Sequence, residues 1–251
     1  MRMELELCVI AVLSAGLASA AETDPHELTL PATKDVRITC HRDEAEFNGG
    51  ASPRLRTSNI KANAGEIVIM DFDRATLAAF LEKNKGKAIT AKLVLISRGL
   101  HHGKTATVEA AALDTASEWT EGDKIQTKAA KGEAAFVAAQ FETRAWTTAD
   151  GKEVANLRDV FYDAATDAIK TSFNSKTLTI NASEEDKPVA MELDAKFVEH
   201  LATSEQCKGL LVFNRDRNML ADFYSREQDG KGPKLVLTVS AETAAKEPAT
   251  K

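Results

Sequence analysis

Two pairs of arginines carry the chemistry in this chain best suited to a charged ligand. Arg54 and Arg56 stand two apart in Arg54-Leu55-Arg56, and Arg215 and Arg217 repeat that spacing in Phe213-Asn214-Arg215-Asp216-Arg217. Residues two apart on a strand project from the same face, so each pair sets two guanidinium groups side by side. A guanidinium meets a carboxylate through two parallel N–H···O bonds, the geometry that suits a uronate sugar. Arg37 lies in another alternating run, Val36 to Cys40, and joins them as a fifth candidate. Neutral sugar rings stack on flat aromatic faces, which adds Trp119 and Trp146 as candidate ligand contacts. The competing reading makes the arginines solvated strand faces offset by Glu44 and Asp216, and the tryptophans packing groups at a sheet edge.

Other constellations are weaker. His101 and His102 are adjacent, so on a strand they point to opposite sides, and no cysteine or carboxylate stands near them at ligand spacing. No metal site is expected there. Asp71 and Asp73 share a strand face, but their α-carbons are only about 7 Å apart, whereas catalytic carboxylates approach a sugar from opposite sides. They read as strand-end polar residues, with a structural Ca²⁺ the only ion they would suit. Gly-x-Ser-x-Gly, His-Glu-x-x-His, Gly-x-Gly-x-x-Gly and P-loop patterns are all missing from the sequence. No catalytic residue and no cofactor is expected.

The elements that must hold these residues are mostly short strands. Period-two or continuous apolar runs occur at 36–40, 54–56, 66–73, 91–97, 105–110, 176–180, 189–193, 209–213, 222–225 and 234–239, separated by Gly, Asn and Pro turns. Ala75 to Lys85 and Ala195 to Thr203 have helical spacing, the first with Gly86 as its stop. Residues 114–175 are the least regular and read as a long loop region with short elements, and 21–33 as an exposed lead-in. Many short strands with few helices predict an all-β protein, an antiparallel jelly-roll-like β-sandwich with one or two short helices, and not βαβ units.

At 251 residues and 43% hydrophobic content, the chain can bury a full core as one sandwich domain, expected over residues 34–240. Residues 1–20 read as a signal peptide: an apolar stretch from Cys8 to Leu17, too short to span a bilayer, ends in Ala18-Ser19-Ala20 and turns polar at once. The expected location is therefore secreted, extracellular or periplasmic, with no membrane association after cleavage. Residues 241–251, rich in Ala, Glu, Lys and Thr, read as a disordered tail. Cleavage removes Arg2, Glu4 and Glu6 and moves the net charge from −6 to −5. That acidity argues against nucleic acid, whose phosphates demand clustered cations. Cleavage also leaves two cysteines, Cys40 and Cys207, a candidate disulfide closing a very long loop in an oxidising compartment; two buried thiols are the alternative.

Four segments, in order, resemble a known family. They are Met70-Asp71-Phe72-Asp73-Arg74-Ala75-Thr76-Leu77 with Ala91-Lys92-Leu93-Val94-Leu95; Glu118-Trp119-Thr120-Glu121-Gly122 with Gly132 to Phe136 and Trp146; Met191 to Val198 with Gly209-Leu210-Leu211-Val212; and Phe223-Tyr224-Ser225-Arg226-Glu227 before Pro233-Lys234-Leu235-Val236-Leu237. Together they resemble the DNRLRE secreted β-sandwich domains grouped with carbohydrate-binding module family 96, over about four-fifths of the chain. Two departures stand out: His200-Leu201 replaces the usual aromatic in the second helix, and Gln206-Cys207-Lys208 replaces Asn-Tyr before the Gly-Leu-Leu strand. The resemblance implies a jelly-roll-like sandwich that binds polysaccharide, in some members acidic, without catalysis. A structural or adhesive surface protein without sugar affinity is the alternative, and a polysaccharide lyase or hydrolase a third.

Overall fold

The computed structural model describes residues 26–61, 65–215 and 220–240. The expected signal peptide, the C-terminal tail and Arg217 lie outside the described residues. Fourteen strands occur among them: β1 (Glu27–Thr39), β2 (Phe47–Asn48), β3 (Arg54–Thr57), β4 (Glu66–Phe72), β5 (Ile89–Leu100), β6 (Thr105–Asp114), β7 (Thr127–Lys128), β8 (Tyr162–Asp163), β9 (Ala168–Ile169), β10 (Leu178–Asn181), β11 (Pro188–Leu193), β12 (Cys207–Phe213), β13 (Ala221–Tyr224) and β14 (Lys234–Val239). Three helices join them: α1 (Arg74–Lys83), α2 (Leu157–Phe161) and α3 (Ala195–Thr203). The fold is an all-β antiparallel sandwich, as expected. Ten strands form one hydrogen-bonded sheet, nine of them in the path β10-β6-β12-β4-β1-β14-β5-β13-β3 and the tenth, β11, added on β5.

The path becomes two layers because β1 serves both. Glu27 to Pro31 pair with β14, and Ala32 to Thr39 pair with β4, with a register shift between Ala32 and Lys34. Pro31 sits just before that break, where a missing N–H is tolerated. Residues 27–33, expected as an exposed lead-in, are thus part of the sandwich. From β3 to β6, and again from β10 to β13, consecutive ladder strands alternate between the layers, the jelly-roll habit.

The two faces of the β4–β12–β6 layer bury two different cores. Val68, Met70, Ala110, Ala112, Leu210 and Val212 face the opposite layer, meeting Leu93, Leu95, Phe223, Leu235 and Leu237. Their neighbours Ile67, Ile69, Ala111, Leu113, Leu211 and Phe213 face outward into a second cluster. That second cluster is roofed by residues 115–169, including Trp119, Phe136, Trp146, Leu157 and Phe161. The irregular middle is therefore a cap over a sheet buried on both faces, which is why β4 is apolar without alternation. Each fully buried side chain of this size contributes roughly 1.5–3 kcal/mol, so the cap outweighs any surface ion pair as a source of stability.

α1 and α3 follow the expected pattern. Asp73 caps α1 by accepting from the N–H groups of Ala75 and Thr76, and Asp194 caps α3 by accepting from Lys196 N–H. Leu77, Phe197, Val198 and Leu201 drive both into the inter-sheet core. α2, five residues inside the cap, was not legible from periodicity.

The candidate disulfide does not form, and the alternative of two buried thiols is what the structure has: Cys40 and Cys207 are both free and buried. Cys40 N–H bonds to Gly65 at one end of β4, whereas Leu210 pairs with Met70 and places Cys207 beyond the other end. A seven-residue strand holds them roughly 20 Å apart, far outside the reach of a bridge. Burial pushes the Cys40 thiol up to about 12 and the Cys207 thiol up to about 11.

Candidate functional site

Three of the sequence-predicted arginines, Arg37, Arg54 and Arg56, come together where β3 borders β13 on one side and β1 approaches it on the other. Leu55 points into the inter-sheet core, so Arg54 and Arg56 share the outer face of β3, as the i, i+2 spacing required. β13 brings Asp222 opposite Arg56 by strand register. Arg56 donates to both Asp222 oxygens at 2.6 and 2.9 Å, and its Nε lies 3.6 Å from Glu66. Arg37 donates to the same Glu66 carboxylate. His101 Nε2 stands 2.7 Å from Asp222 and 2.8 Å from Arg56.

This network sorts the arginines by role. Burial works against ionisation of Asp222, yet the Arg56 hydrogen bonds, the Arg56 charge, His101 and Arg54 outweigh it and hold the carboxyl below its usual range. Hydrogen bonding to Asp222 raises Arg56 in turn. Arg56 is a fully engaged structural cation. Arg54 differs: its only ion pair is a 3.6 Å approach to Asp222, and its guanidinium makes no hydrogen bond among the described residues. Its side chain keeps 36% of its exposure. Partial burial lowers its pKa, with Arg56 and Arg37 pushing the same way against the attraction of Asp222.

Arg37 and Arg54 line one open cleft of about 440 Å³ together with Arg98, Glu44, Ile125 and Gln126. Arg98 comes from β5; it spends one N–H on Pro53 O at 3.3 Å and lies over the Tyr224 ring. Two buried polar atoms of cleft-lining residues have no hydrogen-bond partner among the described residues, Arg37 Nε and Gln126 Oε1. Buried polar atoms are nearly always satisfied, so an orphan donor and an orphan acceptor beside one cleft are exceptions that need a reason. Gln126 also holds a positive φ of 53°, costly for a side-chain-bearing residue, and donates its Nε2 to Arg37 O. Ile125 is 63% exposed at the rim.

The other candidates separate from this cleft. Trp119 and Trp146 are buried in the second core, their indole N–H groups donating to Lys208 O at 2.7 Å and Ala135 O at 2.9 Å. Neither presents a ring to a sugar; the apolar area of each is worth more under the cap than in solvent. Arg215 is taken up by a two-bond pair with Glu109, both at 2.8 Å, and does not line the cleft. Asp71 pairs with Arg74 and Lys34, and Asp73 is the α1 cap, so neither is left for a calcium ion. Arg98 and Gln126 were missed by sequence reasoning. Arg98 closes the Ser97-Arg98-Gly99 strand end, but nothing local says that β13 and β3 will stack beside it; Gln126 lies in a loop without periodicity.

No family model and no curated protein sequence matches this chain.

Proposed function

We propose that this protein is an exported, non-catalytic β-sandwich module that binds an acidic, uronate-containing polysaccharide in the cleft between Arg54 and Arg98. The observation that carries this reading is the convergence of Arg37, Arg54 and Arg98 on a single cleft in which the Arg54 guanidinium makes no hydrogen bond among the described residues. A cleft of about 440 Å³ falls within the range of small-ligand sites. Arg54 and Arg98 supply forked donors to a sugar carboxylate, and the buried Arg37, held by Glu66, adds positive charge beside the cleft. Ile125 at the rim offers apolar contact to a ring face. The resemblance to carbohydrate-binding family 96 supports the same class of ligand. Arg56 is excluded from the ligand set because Asp222 and Glu66 already engage it.

A glycan array containing polyuronates, read at low and at high salt, tests the proposal. Binding to uronates that weakens with salt is expected, as for exposed ionic contacts. The double variant Arg54→Ala with Arg98→Ala is expected to lose that binding while its melting temperature stays within about 3 °C of the parent, since both side chains are partly exposed. Uronate binding that survives the double variant, or no binding to any glycan, overturns the reading.

A further inference from the structure

Away from the cleft, three side chains of metal-binding type converge. Asp114 ends β6, His200 lies on α3 and Cys207 opens β12, and one ligand atom from each falls within 4.8 Å of the other two. We propose that Asp114, His200 and Cys207 form a site for one divalent transition-metal ion of the zinc class, with a fourth position left for water or an external ligand. The proposal does not rest on the polysaccharide reading.

The backbone is built to present these groups. Cys207 pairs with Asp114, and the β12–β6 register then slips before Leu210. Gly209 makes that slip possible: its φ is +145°, and a Cβ there would stand 2.6 Å from Met70 O. Bulges of this kind re-aim side chains and are common beside functional sites. The groups around the ligands are fixed as well. Thr171 Oγ1 donates to Asp114 Oδ2 at 2.8 Å, which leaves Oδ1 for the site, and the Phe173 ring stacks on His200 with centroids 3.9 Å apart. Such outer contacts hold ligands in place around a metal.

The donor geometry is close to what an ion requires. Asp114 Oδ1 and His200 Nε2 are 2.6 Å apart and share a hydrogen bond. Around tetrahedral zinc, with bonds of about 2.0–2.1 Å, those atoms would separate to about 3.3 Å, a movement of less than about 1 Å. Cys207 Sγ bonds to neither; its one hydrogen bond among the described residues is a weak 3.4 Å bond to Gly209 O. A metal takes the place of the proton between Asp114 and His200 and of the thiol proton. Both protons pass to solvent, and Nδ1 carries the ring's remaining proton. A thiolate with an imidazole favours zinc-class ions over calcium or magnesium, which prefer all-oxygen shells. Asp114 also lines a cavity of about 300 Å³ with Thr148, Asp150, Lys170 and Thr171, and the His200 and Asp114 side chains keep 17% and 22% of their exposure, so an ion reaches them from solvent.

The test is titration of the metal-free full-length chain with Co²⁺, followed by competition with Zn²⁺. A thiolate-to-cobalt absorption band saturating at one ion per chain, and displaced by zinc, is expected. Cys207→Ser is expected to abolish the band and His200→Asn to weaken zinc binding by about ten-fold or more, while Cys40→Ser keeps the band, and circular dichroism checks that each variant is folded. The absence of any band in the parent overturns the site, as does a band that survives Cys207→Ser. Should His200→Asn fail to fold, the Cys207 and Cys40 variants decide between these outcomes.

Discussion

Asp35 shows how much one residue's surroundings change its chemistry. Burial pushes its carboxyl up to about 7, against the pull of a hydrogen bond from Arg226 N–H and with Glu121 adding to the rise. Its Oδ2 takes the Arg226 N–H at 2.8 Å, while Oδ1 has no hydrogen-bond partner among the described residues. The folded state therefore holds a proton that the unfolded chain releases near pH 4. A raised acid gives stability that is full below the unfolded value and is lost as pH rises through about 7. Asp35→Asn keeps an acceptor for Arg226 and removes the charge. Its stability relative to the parent is expected to rise between pH 4 and pH 8, by up to about 4 kcal/mol. Urea unfolding of both proteins at the two pH values checks this; a difference that does not change with pH would contradict the assignment. The arginines teach the same lesson in reverse. Arg54 and Arg56 were equivalent as an i, i+2 pair, and only the position of Asp222 made one a brace and left the other available.

Between elements, one link joins segments far apart in sequence. Arg226, after β13, donates to both oxygens of Glu121 in the cap at 2.7 and 2.9 Å, and Glu121 also accepts from Asp35 N–H of β1 at 2.7 Å. The Trp-x-Glu-Gly and Arg-Glu segments singled out in the sequence thus meet through Glu121 and Arg226, tying the cap to both layers. Arg226 contacts Glu227 only at 3.7 Å, so the neighbouring residue is the lesser partner. The Arg226 side chain is 40% exposed, so solvent screening tempers the pair. A double-mutant cycle with Glu121→Ala and Arg226→Ala is expected to give a coupling of about 1 kcal/mol. Additivity within about 0.3 kcal/mol would show that the brace contributes nothing beyond its separate residues.

For the whole molecule, the two cores predict how the thiols behave. Cys40 belongs to the cap-side cluster and Cys207 to the inter-sheet cluster, on opposite faces of one sheet. Neither is expected to react with a thiol reagent in the native protein, and both are expected to react once the chain is unfolded in denaturant. Rapid native-state labelling of Cys40 would mean that the cap opens independently of the sandwich. A disulfide found between the two would require β4 to be rebuilt.

The sequence by itself determined the class of fold and where most strands and both longer helices lie, because alternation and capping are local. The strands that bury one face, such as β5 and β11, and the Asp73 and Asp194 caps are all signalled within a few residues. It also named three arginines of the candidate cleft region. Only the tertiary structure decided that residues 115–169 form a roof, that the tryptophans sit beneath it, and that the two cysteines lie at opposite ends of β4. Partner choice across strands depends on register and layer crossing, set by the sum of many burial contacts. No window of sequence contains Asp222 beside Arg56, Arg98 beside Arg54, or Asp114 beside His200 and Cys207.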